Sequence, residues 1–342
     1  MDVLEYYLTF GEIRGKLAMI IPVWFPEGTP RSEIVRLIGL TIADAECLIK
    51  LPHQVLVCDG QPNTKQIIEE MAQAQNRPLV VLCTEQNRGK GGAIAHGIDY
   101  LLANTDVHYL VTRDADGDHF INDVPNLVRL ASQMQSELGD EDIAVVGGRV
   151  NVRGPMGFVR GEYELLVNDV IWHALQYALA CDEKVTNMQY FAQFGLIPDF
   201  HSGFKLYTRQ SAKIALAGFL KAEREMPSLD MMRHGSETVP LVEITLAGGT
   251  FGQVNRMTLE TQPVVTSKGS NRVKGYANRL IWTLIRLKMP FDPAKQLLDN
   301  AIPRTLLYND GNGREELMQF RKQVFEKLGG TGDEPLFAPG FS

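Results

Sequence analysis

The sequence predicts an α/β protein with a mostly parallel sheet flanked by helices and a helical extension at the carboxyl end. Three observations predict it. Short apolar runs alternate with stretches of helical period through the first 150 residues. Those runs are apolar throughout, as in strands covered on both faces. Polar and glycine-rich residues gather just after the runs, where ligands of parallel sheets bind.

The elements follow in order. Leu17 to Trp24, "LAMIIPVW", is a buried strand ended by Pro22 and Pro26, and "RSEIVRLIGLTIADAECLIK" is a helix. "QVLVCD" is the second strand, followed by the helix "TKQIIEEMAQAQ". "PLVVLC" and "GGAIAHGIDYLLA" form the third pair, and "HYLVTRD" and "DVPNLVRLASQMQ" the fourth. "IAVVGGRV" is a fifth strand. Beyond residue 150 the pattern changes. Phe158 to Leu179 is a helix, "DFHSGFKLYTRQSA" is short and glycine-interrupted, and "SETVPLVEITLAGG" is a capped helix. From about Gly269 the chain is helical to Leu328, and "GGTGDEPLFAPGFS" is a flexible tail.

Composition narrows the class. The chain has 342 residues, 44% hydrophobic and 22% charged, an ordinary soluble composition. A net charge of -7 argues against a general nucleic-acid binder. Cys47, Cys58, Cys83 and Cys181 form no Cys-X-X-Cys pair and fit buried thiols in a reducing compartment. The chain has no apolar run of membrane-spanning length and no signal-peptide layout, so a cytoplasmic location is expected.

Three motifs sit at predicted strand ends. Asp59 follows the second strand and precedes Gly60. "TEQNRGKGGAIAHG" places Arg88 and Lys90 around a glycine before a helix, where close backbone approach and the helix N-terminus favour an anion. "YLVTRDADGDHF" crowds Asp114, Asp116 and Asp118 at alternate positions. Two carboxylates about 4 Å apart repel by roughly 4 kcal/mol at an effective dielectric near 20, so something must compensate them. Singly, each motif has a plain alternative: a turn aspartate, a glycine-rich turn, a solvated acidic turn. In order along one sheet edge they describe a site for a nucleoside diphosphate and a divalent cation, Mg2+ or Mn2+. No Gly-X-Gly-X-X-Gly follows the first strand, and no Gly-X4-Gly-Lys-Ser/Thr occurs. An EF-hand fails at His119, where it needs Gly, and at Pro125, where it needs Glu.

On these residues the chain resembles GT-A-fold inverting glycosyltransferases of the family 2 type, most of all the polyprenyl-phosphate enzymes such as dolichol-phosphate mannose synthases. "IIPVWFPE" resembles their first strand, Pro-X-Tyr-Asn-Glu, with one extra residue before Glu27. "CDGQPNT" resembles Asp-Asp-Gly-Ser-X-Asp, with Cys58 for the first Asp and Gln61 for the Ser. "NRGKGGAIAHG" resembles their Lys-Gly-rich loop, and "DADGDH" resembles Asp-Ala-Asp-Leu-Gln-His, with Asp118 in the Gln place. "VVGGRV" resembles Gly-Ser-Arg-Tyr, and "DFHSGFKLYTR" resembles Asp-X-Thr-Ser-Gly-Phe-Arg-Leu-Tyr-Arg.

The resemblance implies sugar transfer from a nucleotide diphosphate sugar with inversion. It implies a nucleotide-sugar half over 1–150, an acceptor half over 151–268, a helical extension over 269–330 and a tail over 331–342. Asp114, Asp116 and Asp118 would hold metal and diphosphate, Arg88 and Lys90 phosphate or sugar, and Pro22, Glu27 and Asp59 the nucleoside. For a hydroxyl acceptor, Glu237 in the first turn of its predicted helix would be the base; the plainer role is a helix-start Glu. For a polyprenyl phosphate, Arg149, and after it Arg153 or Arg160, would clamp the phosphate. His201 and His234 lie in the acceptor half, where structural roles are the commoner use and an acceptor or metal contact the sharper one.

The segment Thr261 to Phe291 has no acid and six basic residues, with Arg272, Arg279 and Arg286 in one helical stripe. A solvated face of a docked helix is the plainer reading. A peripheral surface for anionic headgroups at the inner face of the membrane is the other. A sugar-phosphate nucleotidyltransferase and a non-catalytic nucleotide-sugar binder are the competing functions. The nucleotide base, sugar, acceptor and oligomeric state, a homo-oligomer included, are left open.

Overall fold

The computed structural model describes residues 8–154, 157–191, 197–258 and 272–336. One seven-stranded sheet organises them, in the order β3-β2-β1-β4-β6-β5-β7. The strands are β1 (Leu17–Val23), β2 (Gln54–Cys58), β3 (Val80–Cys83), β4 (Tyr109–Thr112), β5 (Ile143–Arg149), β6 (Lys205–Thr208) and β7 (Thr250–Arg256). β6 alone runs antiparallel, inserted between β4 and β5. Its first residues therefore lie at the same edge as the carboxyl ends of its neighbours.

The alternation of β1 shows how the sheet is covered. Leu17, Met19, Ile21 and Val23 point into one core with α1 (Phe10–Lys16), α2 (Arg31–Ile42) and α5 (Val124–Leu138). Ala18 and Ile20 point into the other, with α4 (Lys90–Asn104), α6 (Phe158–Cys181), α7 (Arg209–Glu225) and α9 (Val239–Leu246). Burial on both faces is why these strands read as continuous apolar runs. α3 (Pro62–Ala74) opens with proline at its first position, and α5 stops at Gly139, φ 62°. α8 (Met231–His234) is a single turn.

The mostly parallel, helix-flanked sheet is as expected. Four details differ. α7 and β7 were not read from the sequence. The helix of "SETVPLVEITLAGG" begins only at Val239, so Glu237 lies in the turn before it. The long carboxyl-terminal helix is three: α10 (Arg272–Arg286), α11 (Phe291–Ala301) and α12 (Gly311–Lys327). Lys288, with φ 52°, and Pro290 break the first junction. Asp310 caps α12 by accepting from the Gly313 N–H at 3.0 Å.

The basic stripe also turns the other way. Arg279 reaches Glu237 at 3.5 Å, and Arg286 pairs with Glu243 at 2.5 and 2.8 Å. α10 thus docks with these two cations paired toward the domain. Lys268 and the Arg272 side chain lie outside the described residues. Among the described residues no helix is long and apolar enough to cross a membrane. At the carboxyl end, the Pro335 carbonyl accepts from Lys295 Nζ at 2.8 Å.

Candidate active site at the carboxyl edge of the sheet

The site begins at the end of β2. Asp59 is 3% exposed. Its Oδ1 accepts from the Arg88 N–H at 2.8 Å and its Oδ2 from the Gly89 N–H at 2.7 Å. Both carboxylate oxygens therefore hold the backbone of the glycine-rich loop. Gly89 has φ 86°, and a Cβ there would meet the Arg233 Cα at 2.4 Å, so the loop requires glycine. Asp59→Ala is expected to speed amide hydrogen exchange at Arg88 and Gly89. Each lost charge-assisted bond is worth about 1.5–3 kcal/mol. Unchanged protection would show that the loop is held by other contacts.

Gln61 does similar work one turn on. Its amide bonds both the N–H and the carbonyl of Phe25, at 2.9 and 2.6 Å, stapling the β1–α2 connection. Pro22 is half-buried in β1, and Glu27 is exposed in that connection.

The loop's two cations diverge. Arg88 makes a two-oxygen contact with Glu223 on α7, 2.8 Å to each. Lys90, at the start of α4, lies 2.8 Å from Asp114 Oδ1 and 3.2 Å from Glu237 Oε1. Residues far apart in sequence thus meet in one cluster at the ends of β4 and α8. Burial would lower the Lys90 pKa, but Asp114 and then Glu237 outweigh it and hold the ammonium charged above its ordinary range. Gly203 makes room for this pair. A Cβ there would lie 2.5 Å from Lys90 Nζ and 3.1 Å from Asp114 Oδ2.

The aspartate turn is fixed from beneath. The Asp114 N–H donates to His119 Nδ1 at 3.1 Å, and the His119 ring stacks on Phe204 at 4.7 Å. Burial, and then Arg256, push the His119 pKa well below its ordinary value, so the ring is a neutral acceptor. Arg113 ties the turn to α2, donating to the carbonyls of His119 and Thr41. The Asp118 N–H donates to Asp116 Oδ1 at 3.1 Å. Burial, and then the neighbouring Asp114, push the Asp116 carboxyl up. Among the described residues, no three His, Cys, Asp or Glu side chains converge to hold a metal.

Glu237 faces two cations. Burial would raise its carboxyl, but Lys90 and then Arg279 outweigh it and hold it well below the usual carboxylate range. Arg279 was missed by sequence reasoning as a site residue. Its Nε donates to the His234 carbonyl, and its guanidinium lies 5.2 Å from the Tyr276 ring centroid. α10, the first of the three helices at the carboxyl end, therefore adds a cation to this cluster.

The expected phosphate clamp is occupied by protein. Arg149 Nε and Nη2 each lie 2.7 Å from Asp199, and Nη1 lies 2.7 Å from Glu164. Arg160 Nε donates to Glu164 Oε1 at 2.9 Å, and so does the Tyr276 hydroxyl at 3.1 Å. Arg153 pairs with Glu162 at 2.5 Å. All three arginines close internal pairs, Arg149 buried and Arg153 and Arg160 partly exposed. His201 is buried beside them, with Nδ1 2.6 Å from Asn168 Oδ1.

Residues 45–213 match the family model described as Glycosyl transferase family 2. A stretch of 76 residues is 33% identical to an uncharacterized protein of Methanocaldococcus jannaschii, covering 22% of this chain and 33% of that relative. The chain thus spans about a third of the length of the curated relative it matches. Among solved structures, TarS residues 1–349 of S. aureus align at TM-score 0.44 and 11% identity, over 92% of this chain and 81% of that one. GalNAc-T7 with UDP, GalNAc and Mn2+ aligns at 0.43 and 16%, over 90% and 55%. A CMP:2-keto-3-deoxy-manno-octonic acid synthetase complexed with CTP aligns at 0.37 and 12%, over 73% and 92%. The matched segment holds Asp59, Lys90, the aspartate turn and Arg149, all at the carboxyl edge of the sheet, and over these residues the chain is similar to glycosyl transferase family 2 domains.

Proposed function

We propose that the protein is a metal-dependent glycosyltransferase that moves a sugar from a nucleotide diphosphate sugar to an acceptor with inversion. The observation that carries this is the junction of Lys90, Asp114 and Glu237 at the sheet's ligand edge. It sets a cation for a leaving diphosphate beside a carboxylate for an acceptor proton, the two groups such a displacement needs. The family match supports the same activity.

The aspartate turn suits a hard divalent ion in its donor chemistry, since Asp114 and Asp116 offer only oxygen. The raised carboxyl of Asp116 marks a place where added positive charge would be favourable. Asp114, Asp116 and Asp118 would hold Mg2+ or Mn2+. Bound there, the ion would supply Lewis-acid stabilisation of the leaving diphosphate. The chain's own groups do the rest. Lys90 balances charge at the diphosphate, the Arg88 and Gly89 backbone held by Asp59 shapes the loop, and Glu237 faces the acceptor. Glu27 and Pro22 border the nucleoside side.

A thermal-shift screen of UDP, GDP, CDP and ADP, each with and without Mn2+, tests the reading. One nucleotide should raise the melting temperature in a metal-dependent manner, because binding to the native state stabilises it by mass action. Asp116→Ala should remove the metal dependence. No shift with any nucleotide would count against the donor class, and an unchanged metal dependence in Asp116→Ala against the aspartate turn.

A further inference from the structure

Two of the four cysteines face each other across the sheet. β2 and β3 pair in parallel, and their register sets Leu56 opposite Val81, Val57 opposite Leu82 and Cys58 opposite Cys83. Side chains alternate along a strand, so Cys58 and Cys83 leave the sheet on the same side, with Leu56 and Val81. Each cysteine is the last residue of its strand, and β3 is the outermost strand of the sheet. Neighbouring strands lie about 4.8 Å apart, inside the roughly 4.4–6.8 Å between Cα atoms that a disulfide spans.

The two thiols differ in access. Cys58 is buried, and burial, then Cys83, pushes its thiol up to about 12. Cys83 is partly exposed. Cys47 and Cys181 are exposed and lie outside the sheet.

The residues that follow the pair tie the strand ends to the glycine-rich loop. The Thr84 N–H donates to the Cys58 carbonyl at 3.0 Å. Thr84 Oγ1 accepts from the Gly60 N–H at 2.8 Å and lies 3.2 Å from Asp59 Oδ1. Asp59 in turn holds the backbone of Arg88 and Gly89. A movement of the ends of β2 and β3 is therefore felt by the support of that loop.

We propose that Cys58 and Cys83 close into a reversible disulfide, a redox switch that loosens the glycine-rich loop. The oxidant is a small-molecule disulfide. The Cys83 sulfur, as thiolate, attacks one of its sulfurs. That S–S bond breaks, and its electron pair leaves with a small thiolate that takes up the Cys83 proton. The Cys58 sulfur then attacks the Cys83 sulfur of the mixed disulfide, and the second small thiolate leaves and takes up the Cys58 proton. Two protein thiols are oxidised, and one small disulfide is reduced to two thiols. The commonest Cα spacing of disulfides, about 5.5–6 Å, exceeds the strand spacing, so closure spreads the strand ends by about 1 Å. The spread works against the bonds of Thr84 to Cys58 and Gly60. A disulfide held under such strain is readily reduced, as regulatory ones are.

The test uses the full chain incubated with oxidised glutathione, alkylated, digested without reductant and read by mass spectrometry. The Cys58 and Cys83 peptides should be joined and should separate again after dithiothreitol. Amide exchange at Gly60, Arg88 and Gly89 should be roughly threefold faster or more in the oxidised protein, since local opening becomes easier. Cys83→Ser should exchange like the reduced parent and should not respond to the oxidant. Its thermal melt reports whether it is folded, and Cys58→Ala takes its place if it is not. Two thiols left free, a cross-link to Cys47 or Cys181, or a glutathione adduct that stays on Cys83 beside a free Cys58 overturns the disulfide. A disulfide that leaves the three amides unchanged, or an equal response in Cys83→Ser, overturns the switch.

Discussion

Arg149→Met is expected to destabilise the protein by about 3–5 kcal/mol, the cost of leaving buried carboxylates without their cation. Arg149 is the sole guanidinium that bridges Asp199 and Glu164 among the described residues, and all three side chains are less than a tenth exposed. The sign with pH follows from the pair. Burial would raise both carboxyls, but Arg149 outweighs it, bringing Glu164 down to about 2 and Asp199 further still. Groups with depressed folded pKa values stabilise above their unfolded range, near 4, and lose that contribution as pH falls through the folded values. The deficit of the variant should therefore be largest above about pH 5 and shrink towards pH 2. Urea unfolding across that range measures it. Adding Asp199→Asn should recover part of the loss, because the stranded charge is then gone while Glu164 keeps its pair with Arg160. A variant as stable as the parent at neutral pH would mean that Arg149 is free to serve a ligand after all.

This internal pairing could not be read in advance, for a physical reason. "VVGGRV" shows an arginine at a strand end, the right place for a ligand contact. Its partners come from the second turn of α6 and from the loop before β6, and nothing in the local pattern links them. The same holds for Arg279, whose role depends on α10 folding back over α8. What was legible is what local rules govern. β1, β2, β4 and β5 are apolar on both faces, so their runs announce them. Asp59, Lys90 and Asp114 follow strand ends, and topology alone carries them to one edge. β7 was hidden because "TFGQVNR" has few apolar side chains. α7 was hidden because Thr208 is both the end of β6 and the helix cap, leaving no turn residues between them. Asp59 shows a subtler limit. Its position was legible, but its partners are backbone N–H groups, which no side-chain pattern reveals.

Lys90→Met is expected to move two affinities in opposite directions and to lower transfer by about 10²–10³-fold, the scale of losing a key electrostatic contact to a developing charge. The ammonium lies 2.8 Å from Asp114, where a divalent ion would also bind. A metal bound there would compete with the lysine for one carboxylate. Removing the lysine should tighten Mn2+ binding to the nucleotide-free protein by roughly tenfold, a modest share of the few kcal/mol that like charges exchange at such distances in a partly exposed site. The nucleotide diphosphate should bind more weakly, because the cation that balances its charge is gone. Titration calorimetry with Mn2+ alone, and then with nucleotide at saturating Mn2+, separates the two. The contrast matters because a collapse of the loop would weaken both ligands together. Weakening of Mn2+ in the variant would therefore remove Lys90 from competition with the metal and return it to the role of a structural bridge between Asp114 and Glu237. Opposed shifts would instead show that donor binding draws Lys90 off Asp114. Glu237, 3.2 Å away, would then lose its nearest counter-ion only once a donor has arrived. A carboxylate held far below its ordinary range is a poor base, and releasing it from the ammonium raises its basicity. The same lysine would then delay proton abstraction until the sugar is in place.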